Sequence, residues 1–181
     1  MVNSKKMFLW KPYFFHKALV ALIQKNIYLN LIYLIDMKIE YNNLYTHFVF
    51  TTSGRQFMIP EKNRIRIEKY VTGIVKNNSS KLYAIYANPE HVHLLVSRSP
   101  TLSEEELAMI IAESTESFIN KNKLVSGKFS WQQSASAFSV SKSDIDKVCK
   151  YILNQSAHHG KVSFAEEYSQ FLKYYENKLK E

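Results

Sequence analysis

The chain has 181 residues, of which 46% are hydrophobic and 22% are charged. This length and composition predict one folded domain with a sizeable core. The net charge of +8 is typical of proteins that bind nucleic acid or anionic lipid, although it equally fits a basic protein without such a partner. The single cysteine, Cys149, excludes an internal disulfide and a cysteine-rich zinc site, and it fits a cytoplasmic location.

Residues 1–36 differ in character from the rest of the chain. The apolar stretch 18–36 is interrupted at its centre by Gln24, Lys25 and Asn26, whereas a membrane span needs about 20 predominantly apolar residues. No small-residue cleavage site follows it, so a signal peptide is not expected. We expect an N-terminal extension over 1–36, either upstream of a true start at Met37 or forming an amphipathic helix on the domain, and one domain over 37–181.

Beyond residue 36 the pattern predicts strands and helices in an order that identifies a fold class. Two capping boxes, Ser103 with Glu106 and Ser163 with Glu166, mark helix starts. In chain order we expect strands and helices at these positions: a strand over 43–52, a helix after Pro60 over 61–78, strands over 81–88 and 91–97, a helix from Ser103, a strand over 128–141, a helix over 141–160 and a helix from Ser163.

The order strand-helix-strand-strand-helix-strand predicts an α+β protein with the ferredoxin-like split βαβ arrangement. This arrangement has an antiparallel sheet with two helices on one face. The helix over 141–160 is then expected to lie over the other face. Many functions use this fold, so the fold alone does not identify the chemistry.

Two histidines stand one residue apart in the strand "HVHLLVS". Successive side chains of a strand point to opposite faces, so His91 and His93 share one face, about 7 Å apart, and Val92 and Leu94 share the other. Two imidazoles can bind a divalent cation but need a third ligand. The alternative is two histidines on a partly buried face without a metal, and a short motif by itself leaves that alternative open.

The helix that begins near Ser143 offers partners for this pair. Tyr151 and Gln155 lie four residues apart and therefore share one flank of a helix. If this helix packs on the free face of the sheet, a phenol and a carboxamide lie near the imidazoles. Gln155 would then supply a ligand oxygen, and Tyr151 a nucleophile. The alternative is that Tyr151 is an aromatic residue at the edge of the core.

These residues carry a resemblance to a known family. "PEHVHLLV" followed by "YILNQSAHH" resembles the HUH single-tyrosine transposases, which include small insertion-sequence transposases and REP-associated tyrosine transposases. "LYTHFVFTT" resembles the family's first strand, and "HHGKVSFAEEYSQFLK" is similar to the segment that follows the tyrosine helix in the REP-associated branch. The resemblance covers most of residues 38–175.

The resemblance implies an enzyme that cuts and rejoins single-stranded DNA through a 5′-phosphotyrosine. It implies that His91, His93 and Gln155 bind Mg²⁺ or Mn²⁺ and that Tyr151 is the nucleophile. It also implies a substrate read with hairpin ends and a homodimer. The alternative is a non-catalytic or domesticated nucleic-acid-binding module on the same fold.

Two segments depart from the family pattern. The stretch "WQQSASAFSVS" lacks the glycine and tyrosine that relatives often carry in the last strand. The second helix carries Glu113 and Glu116, where relatives tend to have a basic residue. Both departures bear on DNA affinity and target preference, and neither changes the four proposed site residues.

Overall fold

The computed structural model describes residues 41–159 and 163–178, together with the isolated positions 20, 23, 24 and 39. The chain divides into two compact units, residues 1–40 and 41–181. The expected extension over 1–36 lies outside the described residues apart from three positions, so that expectation stays untested.

Four strands form one antiparallel sheet. They are β1 (Tyr45–Thr51), β2 (Lys81–Ala87), β3 (His91–Ser97) and β4 (Ser136–Val140), and they are arranged in the order β2-β3-β1-β4. The histidine strand β3 therefore lies inside the sheet, between β2 and β1. This position surrounds its side chains with neighbours from both strands on each face.

Five helices complete the described part of this unit: α1 (Glu61–Asn77), α2 (Glu104–Lys121), α3 (Ile145–Leu153), α4 (Gln155–His159) and α5 (Phe164–Lys178). The two predicted capping boxes are present. The Ser103 hydroxyl accepts from the Glu106 backbone N–H and the Glu106 carboxylate accepts from the Ser103 N–H, and Ser163 and Glu166 repeat the pattern. Among the described helices none is both long and apolar enough to cross a membrane.

The two faces of the sheet carry different cores, as the alternation in β3 predicts. Val92, Leu94 and Val96 pack with α1 and α2 in the larger cluster. On the other face Leu95 packs with Ile152 of α3. The predicted α+β fold, with two helices on one face and the tyrosine-bearing helix over the other, is therefore confirmed.

The last strand is shorter than the sequence predicts. The regular strand covers only Ser136–Val140, although alternation predicts a strand from 128. Trp131 forms a separate bridge with Thr52, whereas the register that pairs Val49 with Ser136 would bring residue 133 opposite Thr52. Between the bridge and the paired part of β4, this segment therefore has two residues more than β1 has. The extra residues interrupt the pairing of the two strands, as a β-bulge does.

The tyrosine helix is also interrupted, although the sequence predicts one helix over 141–160. A 3₁₀ turn at Lys142–Asp144 precedes α3, and Asn154 separates α3 from α4. The Asn154 N–H still donates to the Lys150 carbonyl, and the chain then turns before Gln155. Asparagine is a weak helix former because its side chain competes for backbone hydrogen bonds. The break places Tyr151 and Gln155 on two different helices.

We predict that Leu94→Ala lowers the free energy of unfolding by roughly 2–5 kcal/mol, because Leu94 is fully buried in the larger core and the truncation leaves a cavity. Urea denaturation monitored by circular dichroism measures the change. Leu153→Ala is the matched control, since Leu153 is 60% exposed and surface substitutions usually change stability by less than about 0.5 kcal/mol. Equal losses in both variants would contradict the assignment of the core.

Candidate metal and tyrosine site

The histidine pair lies on the α3 face of the sheet and is shielded from solvent. His91 is 0% exposed and His93 is 1% exposed. Their ring centroids are 4.8 Å apart and the rings are perpendicular. Val92, between them, points into the opposite core. The two imidazoles therefore converge on one small volume, as the strand alternation predicts.

The two nitrogens of each histidine ring face different residues. Nδ1 of His93 lies 3.0 Å from Nε2 of His47, and Nδ1 of His91 lies 3.4 Å from a Glu90 carboxylate oxygen. The Nε2 atoms of His91 and His93 lie 3.8 and 3.6 Å from the Glu167 carboxylate oxygens. Both rings therefore turn Nδ1 towards a fixed partner and Nε2 towards the same carboxylate. In metal sites, such partners of the second ring nitrogen orient the ligand.

Gln155 reaches the histidines from the start of α4 and is fully buried. Its Oε1 accepts a hydrogen bond of 3.1 Å from Asn88 Nδ2, and its Nε2 donates one of 2.9 Å to Glu167. Asn88 Nδ2 also lies 2.8 Å from Nε2 of His91. The amide of Gln155 thus joins the turn before β3 to the carboxylate of α5.

Glu167 completes a group that could hold a metal ion. One ligand atom from each of His91, His93 and Glu167 lies within 4.8 Å of the others, and all three residues are buried. Burial, with a smaller contribution from the negative charge of Glu90, raises the pKa of Glu167 to about 7. A cation opposes both effects, because it favours the ionised carboxylate.

The donor set fits a divalent cation. Two imidazole nitrogens and a carboxylate oxygen form a mixed nitrogen and oxygen set of the kind that suits Mn²⁺ and other first-row divalent ions. Mg²⁺ prefers oxygen ligands and water, so this set favours it less. The position of His93 Nδ1, 3.0 Å from His47 Nε2, strengthens the fit, since a ligating imidazole usually donates its other N–H to a nearby acceptor.

Tyr151 lies beside the histidines in the same chain. Its ring centroid is 5.7 Å from that of His93 and 6.2 Å from that of His47, in edge-to-face arrangements. Phe171 of α5 packs against it with a centroid distance of 5.8 Å. The next residue, Ile152, is fully buried against the sheet and anchors α3 there. The structure thus brings together all four residues that the sequence singled out.

Helix α5 covers this group with aromatic rings. Phe164 stacks on His91 with a centroid distance of 3.9 Å and an interplanar angle of 16°. The Arg55 guanidinium lies 5.7 Å from the ring centroids of Phe164 and of Tyr168. The Tyr168 hydroxyl is 2.6 Å from the Ser136 hydroxyl of β4. These contacts connect α5 to β4, at the edge of the sheet, and to the turn after β1.

Sequence reasoning missed Glu167, His47 and Asn88. A signal existed for Glu167, because it stands between Phe164 and Phe171 in the apolar stripe of α5, where a carboxylate is unexpected. A weaker signal existed for His47, which takes a buried position in a strand of otherwise β-branched and aromatic residues. Burial lowers the pKa of His47 to about 4, so its ring is neutral at pH 7.

Five of the basic residues between β1 and β2 differ in their surroundings. The Arg64 guanidinium forms ion pairs with Glu61 and Glu68, at 2.8 and 3.0 Å, and lies over the Tyr86 ring, so it is part of the α1–β2 packing. The others are exposed: Arg55, Arg66, Lys69 and Lys76. Exposure keeps those four side chains accessible to an anionic partner.

Comparison with known proteins adds three findings. Residues 40–155 match the model of the family described as IS200-like transposases. A structure of a REP-associated tyrosine transposase bound to a REP hairpin is similar to this chain, with a TM-score of 0.51 and 14% identity over 70% of this chain and 76% of that one. A candidate transposase from Deinococcus radiodurans R1 aligns with a TM-score of 0.45 and 20% identity over 67% of this chain and 98% of that one. No curated protein matches the sequence.

Proposed function

The chain belongs to the family of IS200-like transposases, of the HUH single-tyrosine type, and on that premise we propose that it is a metal-dependent endonuclease and strand transferase for single-stranded DNA. One observation carries the proposal: Tyr151 lies beside the buried pair His91 and His93, within a single chain. A phenol next to a cation site has the arrangement that a tyrosine nucleophile requires.

In the proposed step, Tyr151 Oη forms a bond to the phosphorus of a DNA phosphodiester and the bond from phosphorus to the 3′ oxygen breaks. The phenol loses its proton, and the departing 3′ oxygen gains one. The products are a 5′-phosphotyrosine and a free 3′-OH. Attack by the 3′-OH of another strand reverses the step and rejoins DNA without ATP, because the ester bond is exchanged and not hydrolysed.

His91 and His93 would hold Mg²⁺ or Mn²⁺. As the side chains lie, Glu167 fits as the third ligand and Gln155 orients it through their 2.9 Å hydrogen bond. Gln155 would be a ligand itself if its Oε1, which accepts from Asn88, faced the ion instead. When bound, the cation supplies electrostatic stabilisation of the charge that develops on the phosphate oxygens.

The proposed substrate is single-stranded DNA with hairpin ends. The net charge of +8 and the exposed Arg55, Arg66, Lys69 and Lys76 favour a polyanion. The His91 and His93 rings and the Tyr151 hydroxyl are buried, so a DNA strand reaches them only after neighbouring side chains of α5 move away.

A homodimer and a cytoplasmic location remain predictions. The tyrosine and both histidines of the site come from one chain, so the proposed site does not require a second copy.

The direct test is to incubate the protein with a labelled oligonucleotide that carries a hairpin and a single-stranded flank. With Mn²⁺ or Mg²⁺ we expect a covalent adduct that survives denaturant, and with EDTA we expect none. Mass spectrometry of the digested adduct should locate the nucleotide on the peptide that contains Tyr151. The fully double-stranded form of the oligonucleotide is the control. Binding of several hairpin substrates without any adduct would identify a non-catalytic binding module instead.

A further inference from the structure

We propose that His47 is a positioning residue of the metal site. It accepts a hydrogen bond from Nδ1–H of His93 and so holds His93 in the tautomer that presents Nε2 to the ion. The inference rests on the proposed metal site, and it assigns a role to a residue of β1 that neither contacts the ion nor reacts.

The sheet register brings the two imidazoles together. β1 and β3 are antiparallel, and His93 pairs with Val49. His47 lies two residues from Val49 and therefore on the same face, at the diagonal position from which long side chains meet across strands. The rings are 5.1 Å apart between centroids and tilted by 31°, and the nitrogens that face each other are Nε2 of His47 and Nδ1 of His93, 3.0 Å apart.

Only one direction of this hydrogen bond is compatible with a metal at His93. Nε2 of His93 points to Glu167, the third residue of the candidate metal group, at 3.6 Å, whereas Nδ1 faces His47. A ligating nitrogen must have a free lone pair, so the proton of a neutral His93 must reside on Nδ1. His47 Nε2 must then be the acceptor, and the His47 proton must reside on its own Nδ1.

The packing around His47 holds the acceptor in place. Its ring makes aromatic contacts with Phe138, Phe171 and Tyr151, at centroid distances of 6.1, 5.7 and 6.2 Å. These contacts come from β4, α5 and α3, so three elements restrict the rotation of the ring. Near the other histidine of the candidate metal group, a Glu90 carboxylate oxygen lies 3.4 Å from Nδ1 of His91. The hydrogen-bond distance to His93 and the restriction of the His47 ring by three elements together support a positioning role over incidental packing.

The test compares two variants of similar size. His47→Gln keeps an acceptor oxygen near the position of Nε2, whereas His47→Leu fills the space without an acceptor. Loss of a hydrogen-bonding partner behind a ligand typically weakens metal affinity by about 10- to 100-fold. We expect that loss for His47→Leu and a clearly smaller one for His47→Gln, measured by Mn²⁺ titration with calorimetry and electron paramagnetic resonance. A His47→Leu variant that folds and binds Mn²⁺ as tightly as the wild type overturns the proposal.

A second measurement does not depend on a variant. Long-range ¹⁵N–¹H correlation spectra of the metal-free wild-type protein report which nitrogen of each histidine is protonated. We expect Nδ1–H for both His47 and His93, and Nε2–H at His93 overturns the positioning role even if His47→Leu does not fold. A wild-type protein that binds no Mn²⁺ but shows Nδ1–H at His93 contradicts the proposed function instead, so the two failures are distinguishable.

Discussion

Tyr151→Phe is expected to abolish the covalent protein–DNA adduct while leaving Mn²⁺ affinity unchanged. Phenylalanine keeps the ring, and with it the edge contacts to His93 and Phe171 that lie 5.7 and 5.8 Å away between centroids. It removes only the oxygen that would bond to phosphorus. The measurement is a denaturing gel of a labelled hairpin oligonucleotide incubated with each protein and Mn²⁺.

Tyr83→Phe is the matched control for that experiment. Tyr83 belongs to the same face of the sheet and packs edge-to-face on Tyr45 at 5.6 Å, away from the histidines. It should form the adduct as the wild type does. An undiminished adduct with Tyr151→Phe shows that another residue is the nucleophile. A parallel loss of Mn²⁺ affinity in that variant contradicts a purely nucleophilic role for the hydroxyl.

Glu167→Gln is expected to stabilise the metal-free protein at neutral and alkaline pH and to weaken Mn²⁺ binding. The pKa of Glu167 is raised from 4.5 to about 7 by burial first and by Glu90 second. A raised carboxyl pKa means that the folded state holds the proton more tightly than the unfolded chain. The resulting penalty is absent below pH 4.5, grows between pH 4.5 and 7, and is complete above pH 7.

The variant removes this penalty because glutamine resembles the protonated acid. Its free energy of unfolding should equal that of the wild type near pH 4.5 and exceed it by about 3 kcal/mol at pH 8, from the conversion of pKa shifts to free energy. Urea denaturation in EDTA across this range measures the difference. In saturating Mn²⁺ the wild type should be more stable than Glu167→Gln, since an ion that binds the folded state stabilises it by mass action.

The effect of Glu167 must be measured as a difference between the variant and the wild type. The reason is that His47 contributes a pH dependence of stability with the opposite sign in nearly the same pH range. Burial lowers the pKa of His47 from 6.5 to about 4, so the stability that its neutral ring provides is present above pH 6.5 and is lost as the pH falls towards 4. In the wild type, the changes in stability with pH that come from Glu167 and from His47 offset each other. A difference between Glu167→Gln and the wild type that stays constant with pH would contradict the prediction.

Glu166→Gln is the control, because its expected effect on stability at neutral pH has the opposite sign. Glu166 is exposed, and its hydrogen bonds with Ser163 lower its pKa. The stability that the ionised Glu166 contributes is therefore present above pH 4.5 and is lost as the pH falls below that value. Glu166→Gln should reduce stability at neutral pH and leave Mn²⁺ affinity unchanged, although it alters the residue next to Glu167.

The sequence by itself determined the fold class and the face of β3 on which the two histidines lie. Alternation in β3 set His91 and His93 on one face and Val92 and Leu94 on the other, because side chains of a strand alternate whatever the strand packs against. The two capping boxes fixed the starts of α2 and α5, since a cap depends on residues three positions apart. These are local properties, and the structure agrees with each of them.

Only the tertiary structure decided which distant residues join the histidines. Glu167 is 74 positions from His93 in the chain, and its place depends on how α5 packs over the sheet. His47 meets His93 because β1 pairs with β3 in one particular register, and a shift of one residue would turn His47 to the other face. The two extra residues before β4 likewise depend on a distant pairing, the bridge between Trp131 and Thr52. Local sequence sets which way a side chain points, whereas contacts between elements set what it meets.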